Sequence, residues 1–393
     1  MTIAPEVPLT TRLNPLVIKG RSILPIVQGG MGVGISAHRL AGNVARLGAM
    51  GTIASVDLRR HHPDLMAETA HCRDRAVIDR ANLLALEREI AAAKAIAGGR
   101  GLLAVNIMRA ISAYADCVRV ACASGIDSLV VGAGLPLDLP DLTAEHPDVA
   151  LIPILSDSRG IQLVVKKWER KGRRPDAVVI EHPRYAGGHL GAARIDDLAD
   201  ERFDFERVIP ETLEFFHRQG IVEGSIPLIA AGGINSPARV VELMALGAGG
   251  VQLGTAFAVT EEGDAAPEFK AVLAGARPED IVEFMSVAGL PARAVRTPWL
   301  ETYLRYLPAM QAVAHKKRRC TLYFDCLAQC ALRDGVARFG QFCIDMQLAA
   351  ALRGDVKKGL FFRGAAPLPF GTAIRPVREL LDFLLGNVPP ESA

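Results

Sequence analysis

The sequence predicts an α/β fold, a (β/α)8 TIM barrel with a helical C-terminal extension, and three observations carry that expectation. Eight short, nearly continuous apolar runs recur between residues 20 and 265, helix-length amphipathic segments lie between them, and several runs end in glycine clusters. Strands buried on both faces of a parallel sheet need apolar residues at nearly every position, whereas a half-exposed strand alternates. A length of 393 residues suits one large barrel with an appendage. The 37 glycines and 5% aromatic content fit close helix–sheet packing better than an all-β sandwich. A doubly wound open sheet satisfies the same strand count.

The runs, in order, are LPIVQ (24–28), MGTIA (50–54), LLAVN (102–106) and SLVVG (128–132), then ALIPIL (150–155), DAVVIE (176–181), IPLIAA (226–231) and GVQLG (250–254). Helical spacing of apolar residues marks 38–48, 81–98, 161–172 and 238–247 among the intervening segments. From about residue 266 the pattern turns to long helical stretches ending in VRELLDFLLGNV. Residues 1–265 therefore read as the barrel, and 266–393 as a helical, cysteine-containing extension packed on it.

A net charge of +2 provides no field to gather nucleic acid or an anionic membrane. No apolar run reaches the ~18 residues a membrane-spanning helix needs, and the N-terminus lacks the basic and apolar regions of a signal peptide. The expectation is a cytoplasmic protein without nucleic-acid or membrane partners, with a homo-oligomer left open. Seven cysteines, an odd number with no export signal, argue against a disulfide framework. Four of them, Cys320, Cys326, Cys330 and Cys343, lie close together behind HKKRR (315–319). Four thiolates could hold an iron–sulfur cluster or a zinc ion, yet the spacing matches neither paired C-x2-C knuckles nor a ferredoxin run. Buried or redox-active thiols, with Cys326 and Cys330 on one helix face, are the alternative.

Barrel function sits where strands end, and here those ends are glycine-rich: GGMGVGIS (29–36), GAGLP (132–136), AGGH (186–189), GGIN (232–235) and QLGT (252–255). The last two follow the seventh and eighth strands, where this fold recurrently binds phosphate. Gly232, Gly233 and Gly254 let backbone N–H groups approach an anion, and Thr255 adds a hydroxyl. GGMGVG lacks the G-x-G-x-x-G spacing of a dinucleotide fingerprint, and Asp57 lies too near to serve as its ribose acid. Its glycines suit a flat ring lying against the backbone.

PIVQGGMGVGIS, VGAGLPLDLP, AGGHLG, AAGGI and GVQLGTAF, in that order along residues 20–260, resemble the nitronate monooxygenase (2-nitropropane dioxygenase) family of FMN-dependent barrels. SVAGLPARAV (286–295) and GDVKKGLFFRG (354–364) extend the likeness to a bacterial subgroup. The resemblance implies non-covalent FMN, with its phosphate on Gly232, Gly233, Gly254 and Thr255 and its ring near Gly29, Gly30 and Met31. It implies that Asn106, Glu181, Gly187 and Gln252 line the flavin, with Gly188 thinning the loop beside it. It assigns His189 as the catalytic histidine, taking the α-proton of a nitroalkane or hydrogen-bonding a nitronate. The expected activity is oxidation of alkyl nitronates or nitroalkanes with O2.

The chain departs from the family pattern at EHPRYAGGH, where His182 replaces a glycine; with Tyr185 it is expected to reshape the substrate side of the pocket. The rival within enzymes is an NAD(P)H-dependent flavin oxidoreductase of the quinone or enoyl-thioester reductase type. An iron–sulfur cluster would instead point to an electron donor as partner. A non-catalytic flavin-binding module is the reading from another class.

Overall fold

A computed structural model of the protein describes residues 8–316 and 326–387. The chain enters through a hairpin of β1 (Leu16–Ile18) and β2 (Arg21–Ile23). The barrel follows: β3 (Ile26–Gln28), β4 (Met50–Ala54), β5 (Leu102–Met108), β6 (Ser128–Gly132), β7 (Ala150–Leu155) and β8 (Val178–Glu181). After the short β9 (Gly188–His189) come β10 (Leu228–Ala231) and β11 (Gly250–Leu253). Each of the eight expected runs forms one barrel strand. They pair in parallel in the order β10-β11-β3-β4-β5-β6-β7-β8, and pairing of β8 with β10 closes the ring. Closure removes the open-sheet alternative.

Alternation along the strands separates two apolar layers. Val27, Met50, Ala104, Val130, Ile152 and Val179 meet inside the barrel, and Leu16, Ile18 and Ile23 of the entry hairpin join them. Ile26, Ile53, Val105, Leu129, Ile180 and Val251 face outward into the helices. The parity fixes which residues look into the barrel mouth. Between β3 and β4 only Val27 and Met50 are in register. The buried Gln28 amide continues that ladder by side chain, accepting from Thr52 N at 2.8 Å and donating to Thr52 O at 3.1 Å.

The helices start and stop where local chemistry dictates. Asp74 accepts from Ala76 N to cap the helix Arg75–Ala97, which ends at Gly98 in the left-handed region at φ 58°. Asp157 likewise caps Ser158–Glu169, accepting from Gly160 N.

Beyond the barrel the chain is only partly helical, which corrects the expectation for the extension. After the helix Pro267–Gly275 it forms an antiparallel hairpin of β12 (Ile281–Met285) and β13 (Pro291–Val295), and β9 joins as the third strand. β13 is buried at all five positions because it lies between two partners. The helices Pro298–Ala312, Ala331–Asp334, Ile344–Leu352 and Val377–Leu384 follow. A buried ionic group ties this region to the barrel. Arg60, after β4, pairs with Asp57 and donates to Asp345 at 2.8 Å, while Arg59 holds the other Asp57 oxygen at 2.8 Å. Among the described residues no helix is long and apolar enough to cross a membrane.

Candidate active site

Glu181, Ala231 and Gln252 stand in register across β8, β10 and β11, and parity turns all three into the barrel mouth. Asn106 occupies the corresponding inward position on β5 and spends one amide hydrogen on Val130 O at 3.3 Å. The segment after β3 runs across these side chains. A Cβ on Gly29 would stand 3.3 Å from the Gln252 side chain, and one on Gly30 would stand 2.2 Å from Asn106 Cβ. Only glycine permits that approach. Gly30→Ala is therefore expected to displace this segment and destabilise the fold by about 1–3 kcal/mol, the cost of overpacking. Urea unfolding against wild type measures it.

Among the described residues two polar groups here lack protein partners. Gln252 Oε1 is buried without a hydrogen bond. Among the described residues nothing bonds the Glu181 carboxyl, and burial pushes its pKa up to about 7. Buried polar atoms are nearly always satisfied, so an orphan acceptor beside a partnerless carboxyl marks a place for a polar ligand.

At the other edge of the mouth, Gly232 (φ +104°) and Gly233 (φ +76°) follow β10. They form one wall of a cavity of about 560 Å³ that Tyr185, Arg184, Arg239 and Asn235 help enclose. Gly254 and Thr255, after β11, lie outside that cavity's lining. Gly254 faces Met31, whose Sδ would be 3.6 Å from a Cβ there. The Thr255 hydroxyl accepts from Gly364 N at 3.0 Å. Arg363 and Gly364 also press on Gly187, where a Cβ would come within 2.6 Å of their backbone.

His189 is held by the extension. In β9 it lies opposite Ala292, with Gly188 opposite Arg293. The buried Arg293 donates to Pro183 O at 3.2 Å and to Ala186 O, while pairing with Glu283. The whole loop from β8 to β9 is thereby pinned to the hairpin. His189 Nε2 lies 3.0 Å from Ser286 Oγ, and the Phe362 ring centroid is 5.9 Å from the imidazole. Burial holds the His189 pKa down at about 4, so the ring is neutral around pH 7.

His182 does not face the barrel mouth. Val179 and Glu181 point inward, so His182 points outward, where it is 2% exposed. Its Nε2 meets Asp204 Oδ1 at 3.1 Å, its Nδ1 accepts from Arg184 N at 3.3 Å, and Phe205 and Tyr185 pack edge-on. It anchors the loop and, with Tyr185, lines the same cavity as Gly232 and Gly233, away from the inward row of Glu181 and Gln252. Strand parity in the sequence contained that signal. Ser286, Arg293, Phe362 and Arg363 lie in quoted motifs, but nothing local in the sequence assigns them to the histidine loop.

Among the described residues no three His, Cys, Asp or Glu side chains gather as a metal-binding group, and Cys320 lies outside those residues. Cys326, Cys330 and Cys343 are half-buried against the main core. Cys326 and Cys330 do not share a helix face: Cys330 precedes the helix Ala331–Asp334 and Cys326 lies in irregular chain.

Comparison with known proteins places this arrangement. Two curated relatives are a probable nitronate monooxygenase of Bacillus subtilis, 31% identical over 129 residues, and a putative monooxygenase of Mycobacterium tuberculosis, 38% identical over 128. These alignments cover 33% of this chain and 34% and 30% of the relatives, so the matched region spans about a third of each. FabK from Thermotoga maritima superposes with a TM-score of 0.63 at 24% identity, covering 92% of both chains. Nitroalkane oxidase from Streptomyces ansochromogenes gives 0.61 at 20% identity, covering 92% of this chain and 95% of that one. These two likenesses concern the fold. The family profile described as nitronate monooxygenase matches residues 15–386, and the chain therefore belongs to the nitronate monooxygenase family of oxidoreductases.

Proposed function

We propose that the protein is an FMN-dependent oxidoreductase that oxidises alkyl nitronates with O2. The observation that carries this reading is the orphaned Gln252 Oε1, buried in register with Glu181 and against Gly29. A flat ring with donors and acceptors along one edge fits such a wall. Gly29, Gly30 and Met31 would hold the ring, with Asn106, Glu181 and Gln252 on its polar edge. Gly232, Gly233, Gly254 and Thr255 would hold the phosphate. Gly187 and Gly188 keep the wall beside the ring thin, and His189 stands on the loop over it. When bound, FMN supplies the electron transfer between substrate and oxygen.

The chain's own residues do the rest. A neutral His189 at pH 7 can hydrogen-bond a substrate oxygen without losing the proton that a cationic imidazole would shed to solvent. Ser286 and the Arg293 clamp keep that ring in one place. Phe362 beside it limits water.

The family membership supports nitronate chemistry, while the fold shared with FabK keeps an NAD(P)H-dependent reductase as the second reading. The purified, FMN-loaded protein under anaerobic conditions separates them. Ethylnitronate or propionate-3-nitronate is expected to bleach the flavin bands, with NADH and NADPH leaving them unchanged. Rapid bleaching by a nicotinamide and none by nitronate would overturn the proposal. Failure of both apoprotein and refolded protein to bind FMN would remove the flavin reading itself.

A further inference from the structure

Ser286 occupies the turn of the β12–β13 hairpin and is fully buried. Its hydroxyl oxygen accepts from Ala288 N at 3.2 Å and lies 3.0 Å from His189 Nε2. Two arrangements satisfy the second contact. In one, the Ser286 hydroxyl donates to Nε2 and the imidazole proton sits on Nδ1. In the other, Nε2–H donates to Ser286 Oγ, and the hydroxyl hydrogen needs a further acceptor. Among the described residues no other acceptor bonds to Ser286 Oγ, and its burial denies it water. Leaving that hydrogen unpaired disfavours the second arrangement by about 10- to 100-fold.

We infer that Ser286 sets the tautomer of His189, so that the histidine presents an N–H donor at Nδ1 to the charged oxygen of a bound nitronate. This rests on the functional reading above and adds a positioning residue to it. Nδ1 has no protein partner among the described residues and is therefore available to a ligand. An N–H donor strengthens its bond when the acceptor oxygen carries charge. It cannot accept the α-proton of a neutral nitroalkane while that nitrogen holds a hydrogen. Abstraction from such a substrate would first require the disfavoured tautomer. Ser286 is thus a positioning residue, acting through His189 and not on the substrate.

The test joins a spectroscopic readout to a kinetic one. In 15N-histidine-labelled protein with and without FMN, long-range 1H–15N correlation, assigned by the missing signals of His189→Gln, is expected to show Nδ1 protonated and Nε2 bare at pH 7. Ser286→Ala should lose that preference and Ser286→Thr should keep it. In wild type, kcat/KM for ethylnitronate is expected to exceed that for neutral nitroethane by at least about 100-fold. In Ser286→Ala that ratio should fall at least about tenfold, with Ser286→Thr restoring it. A proton on Nε2 in the wild type would overturn the inference, and that measurement does not depend on any variant folding. So would nitroethane turnover as fast as ethylnitronate with a primary isotope effect at the α-carbon. Protein with Nδ1–H that turns over no nitronate upholds the tautomer and overturns the nitronate reading alone.

Discussion

His189→Ala is expected to lower kcat/KM for ethylnitronate by about 10²–10³-fold, the range for losing a donor to a charged oxygen. FMN binding should survive, because the side chains proposed to hold the ring and the phosphate lie on other strands. Steady-state kinetics with a flavin spectrum of the variant measure both. A loss below tenfold would remove His189 from the chemistry and leave a flavin-binding module as the better account. The acid side of the pH profile follows from the same site. Burial lowers the His189 pKa to about 4, so the neutral form persists until the pH falls to about that value. The acid limb of wild-type kcat/KM should therefore lie below the range of an ordinary histidine, ~6.5.

Arg60→Leu should carry the largest cost in stability. Arg60 stands between Asp57 and Asp345, and all three side chains are less than a tenth exposed. Removing it leaves two carboxyls facing each other in the interior, a change of about 3–5 kcal/mol for a broken buried pair. The loss depends on pH with a definite sign. Burial, with the nearby Asp345 charge adding to it, raises the folded Asp57 pKa from 3.8 to about 7. The folded state then holds more protons than the unfolded state between those values, so this group's contribution falls as pH rises through that window. The variant should accordingly lose more stability at pH 8 than at pH 5. Urea unfolding at both values measures it. A loss under about 1 kcal/mol at pH 8 would show that the pairing contributes little.

The barrel was legible because parallel strands buried on both faces must be apolar throughout, and SLVVG and ALIPIL have no other place to go. Glu181 and Gln252 entered only through the family resemblance, and that they stand in one row follows from strand register, which the apolar runs do not state. The β12–β13 hairpin was not. IVEFM is mostly half-exposed and PARAV carries a proline and an arginine, so neither gives the signal of a buried barrel strand. The arginine is buried because Pro183 and Ala186, more than a hundred positions away, and Glu283 of the facing hairpin strand converge on it. Thr255 shows the same limit. Its place after β11 follows from the sequence, but its bond to Gly364 depends on a segment more than a hundred positions away.

The pairing of β9 with β13 has a consequence for how the molecule is made. The last barrel strand ends at Leu253, so the ring can close on the ribosome before the hairpin has been synthesised. Until Ser286 and Arg293 emerge, the segment from Glu181 to His189 has no edge to join. Contacts between such distant positions must first overcome the entropy of closing a long loop, and they form late. A nascent chain would thus acquire its scaffold first and its histidine geometry only after the hairpin has emerged.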